Sequence, residues 1–125
     1  MTDEIKLTIP RERALYGVAH LVLGGLGIRL NLTIENLEDL QIALDAVLDR
    51  AREGGDVTVA LRVDEGEMRT RIGPMYDGIR AELEREDGDD VGLRRILDAV
   101  VDGVTVDSDG DCDWVTLTKA VQEQA

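Results

Sequence analysis

The sequence predicts an α+β fold, a two-layer sandwich in which helices cover a mixed or antiparallel sheet in the order β-α-α-β-β-α-β-β. Some segments alternate apolar and polar residues with a period of two, as strands do, and others repeat apolar residues every three or four positions, as helices do. The 125 residues, 43% of them hydrophobic, suffice for one domain and not for two, so we expect residues 1–125 to form a single domain. Phe is absent, so the core must be aliphatic.

The chain begins with a strand and a helix. Residues 5–9 alternate apolar and polar side chains. Pro10 suits the first turn of a helix, because its missing N–H costs nothing there. We expect a long first helix from Arg11 onward, weakened or kinked at the glycine pair 24–25. Its predicted apolar stripe consists of Ala14, Leu15, Val18, Leu21, Val22 and Leu26.

The second helix is the clearest element of the sequence. Thr33 can cap it, and Glu35 lies near its positive end. The segment 37–52 is amphipathic, and the glycine pair 54–55 ends it. A second apolar patch on its back predicts a helix that is covered on both sides, and this patch consists of Ile42, Ala43 and Ala46.

A hairpin is expected after the second helix. Residues 57–63 and 68–72 alternate apolar and polar side chains on either side of the turn 64–66. Gly73-Pro74 ends this hairpin, since neither residue favours a strand interior.

The remainder of the chain predicts one or two helices and a second hairpin. Residues 75–85 have room for a short helix, and the apolar spacing of residues 93–101 marks an amphipathic helix. Residues 104–106 and 114–118 flank a polar turn and form the final hairpin, with Trp114 expected in the core.

Composition excludes several classes of function. Acidic residues number 27 against 14 basic ones, and the net charge of −13 repels phosphate backbones, so no direct nucleic-acid partner is expected. No signal peptide and no membrane-spanning stretch are recognisable, which predicts a cytoplasmic protein without a membrane partner.

Cys112 is the only cysteine, which excludes a disulfide framework and a thiolate zinc site. His20 is expected to be a partly buried structural residue, because no Ser or second His accompanies it.

Several strings, in their order and spacing, resemble the anti-sigma regulatory factors of bacteria, which belong to the ATPase superfamily of histidine kinases, gyrase and the Hsp90 chaperone. The resemblance implies the histidine-kinase-like ATPase fold, a homodimer, and a sigma factor or an anti-anti-sigma protein as partner. The strings are LTIP at 7–10, GLGIRLNLTIENLEDLQIALDAV at 25–47, VTVALRVDEGEMRTRIGP at 57–74, GLRRILDAVVDGVTV at 92–106 and VTLTK at 115–119.

In the resembling family the second helix carries a catalytic Glu and, four residues later, an Asn that holds Mg²⁺. Matching the apolar positions without a gap puts Ala46 at the Glu position and Arg50 at the Asn position. Ala cannot act as a base and Arg cannot bind a metal. A shift by one residue instead places Asp45 there as the catalytic base and Asp49 as the Mg²⁺ ligand. We prefer the first register, and the sequence leaves the second one open.

Two further nucleotide motifs of the family are altered. Arg71-Ile72-Gly73 stands where the family has Asp-x-Gly, whose Asp receives the adenine amino group. Gly88 and Gly92 lie where the family has a glycine-rich lid, but four acidic residues crowd that loop and would repel phosphate. The resemblance therefore assigns a degenerate nucleotide pocket to Arg50, Gly73, Gly88 and Gly92.

Three functions follow from these residues. The leading prediction is an anti-sigma regulator that has lost its kinase chemistry and needs no cofactor, with Arg11 and Arg13 contacting the partner's carboxylates. The first alternative is an ATP- and Mg²⁺-dependent serine/threonine kinase that uses Asp45 and Asp49. The second alternative is an acidic protein-interaction module of the same fold.

Overall fold

The computed structural model describes residues 3–29, 32–50, 55–64, 66–76, 78–84 and 92–120. It contains one five-stranded antiparallel sheet with the strand order β1-β2-β3-β5-β4, and helices that pack on one face of it. The strands are β1 (Asp3–Pro10), β2 (Asp56–Asp64), β3 (Glu67–Met75), β4 (Gly103–Asp109) and β5 (Cys112–Ala120). The helices are a 3₁₀ turn (Arg13–Leu15), α1 (Tyr16–Arg29), α2 (Ile34–Leu48), α3 (Ile79–Glu84) and α4 (Leu93–Val100).

The predicted α+β fold class is confirmed. The structure resolves the choice between a mixed and an antiparallel sheet, because every strand pair in the described residues is antiparallel. Helix α3 occupies the stretch for which the sequence allowed a short helix, so the described elements include one helix more than the predicted order.

The core lies between the sheet and the helices and is aliphatic, as expected. Alternate residues of the central strands point into it, for example Val59, Met68 and Leu117, each at most 2% exposed. The side chains between them point to the opposite face of the sheet, because successive residues of a strand alternate. We call that opposite face the outer sheet face.

The start of the first helix is a correction. Pro10 is not a helical residue but the last residue of β1, where it pairs with Asp56. β1 is an edge strand, and a proline is tolerated at the end of such a strand. The helix follows only after the 3₁₀ turn, and α1 runs without interruption through the glycine pair 24–25.

The second helix begins where its cap predicts. The Thr33 hydroxyl accepts a hydrogen bond from the backbone N–H of Asn36 at 3.1 Å. Helix α2 then ends at Leu48, four residues earlier than predicted. Its predicted cover on both sides holds for Ala43 and Ala46, which are buried, and is wrong for Ile42, which is 48% exposed.

Two predictions about the sheet are corrected. β3 does not end at Gly73-Pro74 but continues to Met75, with a shift of register against β5 between Ile72 and Met75. Trp114 is half-buried and lies on the outer sheet face, since its neighbour Val115 is the residue of that pair that points into the core. No helix in the described part of the chain is long and apolar enough to cross a membrane.

Candidate functional site

The two registers proposed for the second helix correspond to two faces of α2. A step of one residue turns an α-helix by about 100°. Asp45 contacts His20 on α1, and Asp49 contacts Arg13 in the 3₁₀ turn that precedes α1. Ala46 is buried, and Arg50, just beyond the helix end, reaches α3. The two registers therefore place the candidate residues on different faces of α2, one toward α1 and the other toward α3.

The face with Asp45 and Asp49 forms one wall of a cleft of about 270 Å³ between α1 and α2. The Nε2 atom of His20 lies 2.6 Å from Oδ1 of Asp45, and because a carboxylate accepts, Nε2 donates. The guanidinium of Arg13 lies 3.2 Å from Oδ1 of Asp49. The cleft is lined by Arg13, Tyr16, Gly17, His20, Asp45 and Asp49.

Tyr16 is the most buried of the polar side chains at this cleft. Burial raises the pKa of its phenol, because the phenolate loses solvation. The positive charge of Arg11 opposes that shift, the negative charge of Asp49 adds to it, and Arg13 again opposes it. The cleft therefore holds a neutral phenol at neutral pH, beside the hydrogen bond between His20 and Asp45 and the ion pair between Arg13 and Asp49.

Arg50 closes the other face of α2. Its Nε donates to Oε1 of Glu82 on α3 at 3.0 Å, and its Nη1 donates to the backbone carbonyl of Ala46 at 3.2 Å. Both side chains are partly buried. A cation is favourable at this position, because the last carbonyls of a helix carry partial negative charge. Arg50 thus ties the end of α2 to α3.

Arg11 and Arg13, the predicted partner contacts, lie in different surroundings. Arg11 turns inward: its Nη2 donates to the Pro74 carbonyl, and its guanidinium carbon lies 5.4 Å from the centre of the Tyr76 ring. Its Nε and Nη1 are buried and have no hydrogen-bond partner among the residues that the structure describes. Arg13 points outward, with 83% of its side chain exposed. Of the two, only Arg13 is presented to solvent.

The described residues of the predicted pocket, Arg50, Gly73 and Gly92, lie on different elements. Gly73 lies on β3, where a Cβ atom would come within 2.5 Å of the Trp114 ring on the outer sheet face. The guanidinium carbon of Arg71 lies 4.4 Å from the centre of that ring. Gly92 precedes α4 as its N-terminal cap residue. Gly88 lies outside the described residues.

Sequence reasoning did not assign Tyr16 or Gly17 to a site. A signal was present, because Tyr16 and His20 are spaced i, i+4 on α1, as Asp45 and Asp49 are on α2, and such pairs share a helix face. No group of three or more His, Cys, Asp or Glu side chains within the described residues is placed to hold a metal ion.

The fold is similar to that of a solved crystal structure, which contains the RsbU and RsbW domains of Rv1364c from Mycobacterium tuberculosis. The TM-score is 0.73 at 14% sequence identity, and the match covers 98% of this chain and 33% of that one. This chain thus spans about a third of the length of the chain it matches. No protein-family model and no curated protein matches this chain. At such low identity the likeness establishes a common fold.

Proposed function

We propose that this protein is a cytoplasmic transcription regulator of the anti-sigma type, which binds a sigma factor, an anti-anti-sigma protein, or both, and has lost kinase chemistry. The fold likeness supports the proposal, because RsbW is an anti-sigma factor. The sequence motifs that resemble this class extend over the same elements. The single observation that carries the proposal is the outward face of α1.

Helix α1 exposes apolar side chains that nothing in the described chain covers. Val18, Leu21 and Ile28 are 38%, 77% and 80% exposed, and their spacing places them on one face. The glycine pair 24–25 lies between them with open space above it. A helix that is apolar on both faces is expected to be buried on both, so this face indicates a protein interface.

Arg13 supplies a polar group at the start of this face. Its ion pair with Asp49 is largely exposed and therefore contributes little to stability. The guanidinium is free to exchange Asp49 for a carboxylate of a partner, and an arginine can bind such a group through two parallel hydrogen bonds. A second copy of the chain could share the apolar face, and a homodimer belongs to the proposal.

The loss of kinase chemistry is supported by the surroundings of α2. Ala46 offers no base, and Arg50 brings a cation, held by Glu82, to the position where the resembling family binds Mg²⁺. In the other register Asp45 accepts a hydrogen bond from His20 and Asp49 lies beside the Arg13 guanidinium, so both carboxylates have protein partners. The side chains present on either face do not fit a Mg²⁺–nucleotide complex.

The first test is capture of the partner from the native host. A tagged chain should retain a sigma factor or an anti-anti-sigma protein, identified by mass spectrometry. Leu21→Asp or Ile28→Asp should abolish retention, because each places a charge in the proposed interface. Ala81→Asp, at an exposed position of α3, is the matched control and should retain the partner. Retention by all variants would refute α1 as the interface. A partner unrelated to transcription would favour the acidic interaction module.

The second test is calorimetric titration with ATP, with and without Mg²⁺. We expect no binding at millimolar nucleotide. Micromolar, Mg²⁺-dependent binding would overturn the loss of chemistry and restore the kinase alternative. Asp45→Ala and Asp49→Ala would then test which carboxylate serves as base and which as metal ligand.

A further inference from the structure

On an otherwise acidic protein, the part of the outer sheet face around Ala60 gathers four basic residues, with Glu4 beside them. Two cross-strand rows run over it, and they are given by the register of the five strands. The first row is Lys6, Ala60, Arg71, Thr116 and Thr105, and the second is Glu4, Arg62, Arg69, Thr118 and Gly103. Among the described elements, no helix packs against this face, since the core lies on the other one.

A concavity of about 220 Å³ lies where the two rows meet. The small side chain of Ala60 lies between longer neighbours and leaves the space open. Four of the 14 basic residues of the chain surround it, in a protein whose net charge is −13. They are Lys6, Arg62, Arg69 and Arg71.

The arrangement of these cations does not serve the stability of the sheet. Arg62 and Arg69 are direct cross-strand partners on the same face, and like charges in such a pair are destabilising. Arg62 lies 3.8 Å from a carboxylate oxygen of Asp64, and Arg69 lies 3.2 Å from one of Glu67. These ion pairs are exposed and contribute little. An incoming carboxylate can therefore replace them without a large loss.

Arg71 is oriented by another kind of contact. Its guanidinium lies on the Trp114 ring, and that ring lies on Gly73. Within the described residues no carboxylate forms an ion pair with Arg71. Stacking on an aromatic ring leaves the N–H groups at the edge of the guanidinium available to acceptors. Arg71 is thus a fixed and unsatisfied cation beside the concavity.

We propose that the outer sheet face is a docking surface for an acidic, extended segment of a protein partner. Same-face residues of an extended chain lie about 7 Å apart, which is also the spacing of Arg69 and Arg71 along β3. Alternate carboxylates of the segment would meet successive arginines. This surface is distinct from the α1 face, and the inference does not depend on the proposed function.

Charge selects this occupant over two others. A second copy of the chain docked with the same region of its sheet would place this basic cluster against its own copy. A nucleic acid would meet the cations, but the remainder of a protein of net charge −13 would repel its backbone. An acidic segment narrow enough to lie along the strands avoids both penalties.

The test uses a synthetic peptide of about a dozen alternating Glu and Thr residues, which matches the spacing of an extended strand. Its binding to the ¹⁵N-labelled protein is followed by NMR. We expect shifts of backbone amides in β2, β3 and β5, and weaker binding as salt rises from about 50 to 300 mM. Arg69→Glu and Arg71→Glu should each weaken binding by about tenfold or more, because each replaces attraction by repulsion.

Arg94→Glu, at an exposed position of α4, is the matched control and should change the affinity by less than about twofold. Arg69→Lys keeps the charge and should retain most of the binding, which separates the effect of charge from an effect on folding. Amide shifts confined to α1, or no binding at all, would overturn the proposal. Equal affinity for inorganic pyrophosphate or a single-stranded oligonucleotide at the same amides would also overturn it, since the surface would then bind any anion.

Discussion

Replacing Gly73 by Ala should displace the Trp114 ring. The added Cβ would lie 2.5, 2.7 and 2.9 Å from three ring atoms, whereas carbon atoms in contact are about 3.5–4.0 Å apart. Exposing the half of the ring that is now covered removes about 100 Å² of apolar contact, which is worth about 2.5 kcal/mol. Loss of the contact between Arg71 and the ring adds about 0.5–1 kcal/mol. The lower backbone entropy of an unfolded chain with Ala offsets about 0.4–1 kcal/mol.

The net expectation is a loss of about 2–3 kcal/mol in the free energy of unfolding. Trp114 is the only tryptophan, so its fluorescence reports directly on this contact. We expect a red-shifted emission maximum in the folded variant and a lower midpoint in urea. Gly24→Ala is the matched control, because its Cβ would meet open space within α1 and should stabilise the protein by about 0.5–1 kcal/mol. Unchanged emission with unchanged stability in Gly73→Ala would refute the packing of the ring on this glycine.

Three further outcomes are expected. In a double-mutant cycle of Arg50→Met and Glu82→Gln, urea unfolding should give a coupling energy of about 1 kcal/mol, and additive effects would show that the pair is not formed. Thr70 is 3% exposed and its hydroxyl has no hydrogen-bond partner within the described parts of the chain, so Thr70→Val should raise stability by about 1 kcal/mol, whereas a loss of stability would reveal an acceptor for the hydroxyl. Because folding raises the pKa of Tyr16, the neutral phenol favours the folded state. This contribution to the free energy of unfolding is complete below the pKa of tyrosine in the unfolded chain and is lost as pH rises through the pKa of Tyr16 in the folded protein. Ultraviolet titration should therefore show a phenol that titrates above the ordinary tyrosine range, and Tyr16→Phe should remove that step.

The strands and the start of α2 were predictable because their signals are local. Alternation over residues 57–63 and 68–72 places the large apolar side chains on one face, and this placement determines the hairpin register. Thr33 caps α2 through its own side chain. Neither feature depends on a distant part of the chain.

The orientation of α1 was not predictable, for a physical reason. The helix carries apolar residues on all sides, so several stripes of three- and four-residue spacing fit it equally well. The predicted stripe included Val18 and Leu21, which the structure exposes, and omitted Ala19 and Leu23, which it buries. Periodicity identifies a helix here but not the face that packs on the sheet, since the helix also exposes a second apolar face.

Gly73 illustrates a residue that the sequence singled out for one reason and the structure explains by another. The resemblance assigned it to a degenerate nucleotide pocket, as the glycine of an altered Asp-x-Gly motif. The Trp114 ring fills the space beside its Cα atom, on the face of the sheet that is remote from α2. Nothing local in the sequence links these two residues, because their proximity depends on the pairing of β3 with β5 and its shift of register.

The faces of α2 also constrain any catalytic use of this scaffold. For Asp45 to take the place of Ala46, the helix would have to turn by about 100° about its axis. That rotation would carry Leu44, Val47 and Leu48, each at most 1% exposed, out of the core, at about 1.5–3 kcal/mol for each side chain. Such a cost is comparable to the whole stability of a domain of this size. Chemistry based on Asp45 and Asp49 would therefore have to operate in the cleft between α1 and α2, beside His20 and Arg13, and not on the face that Arg50 and Glu82 close.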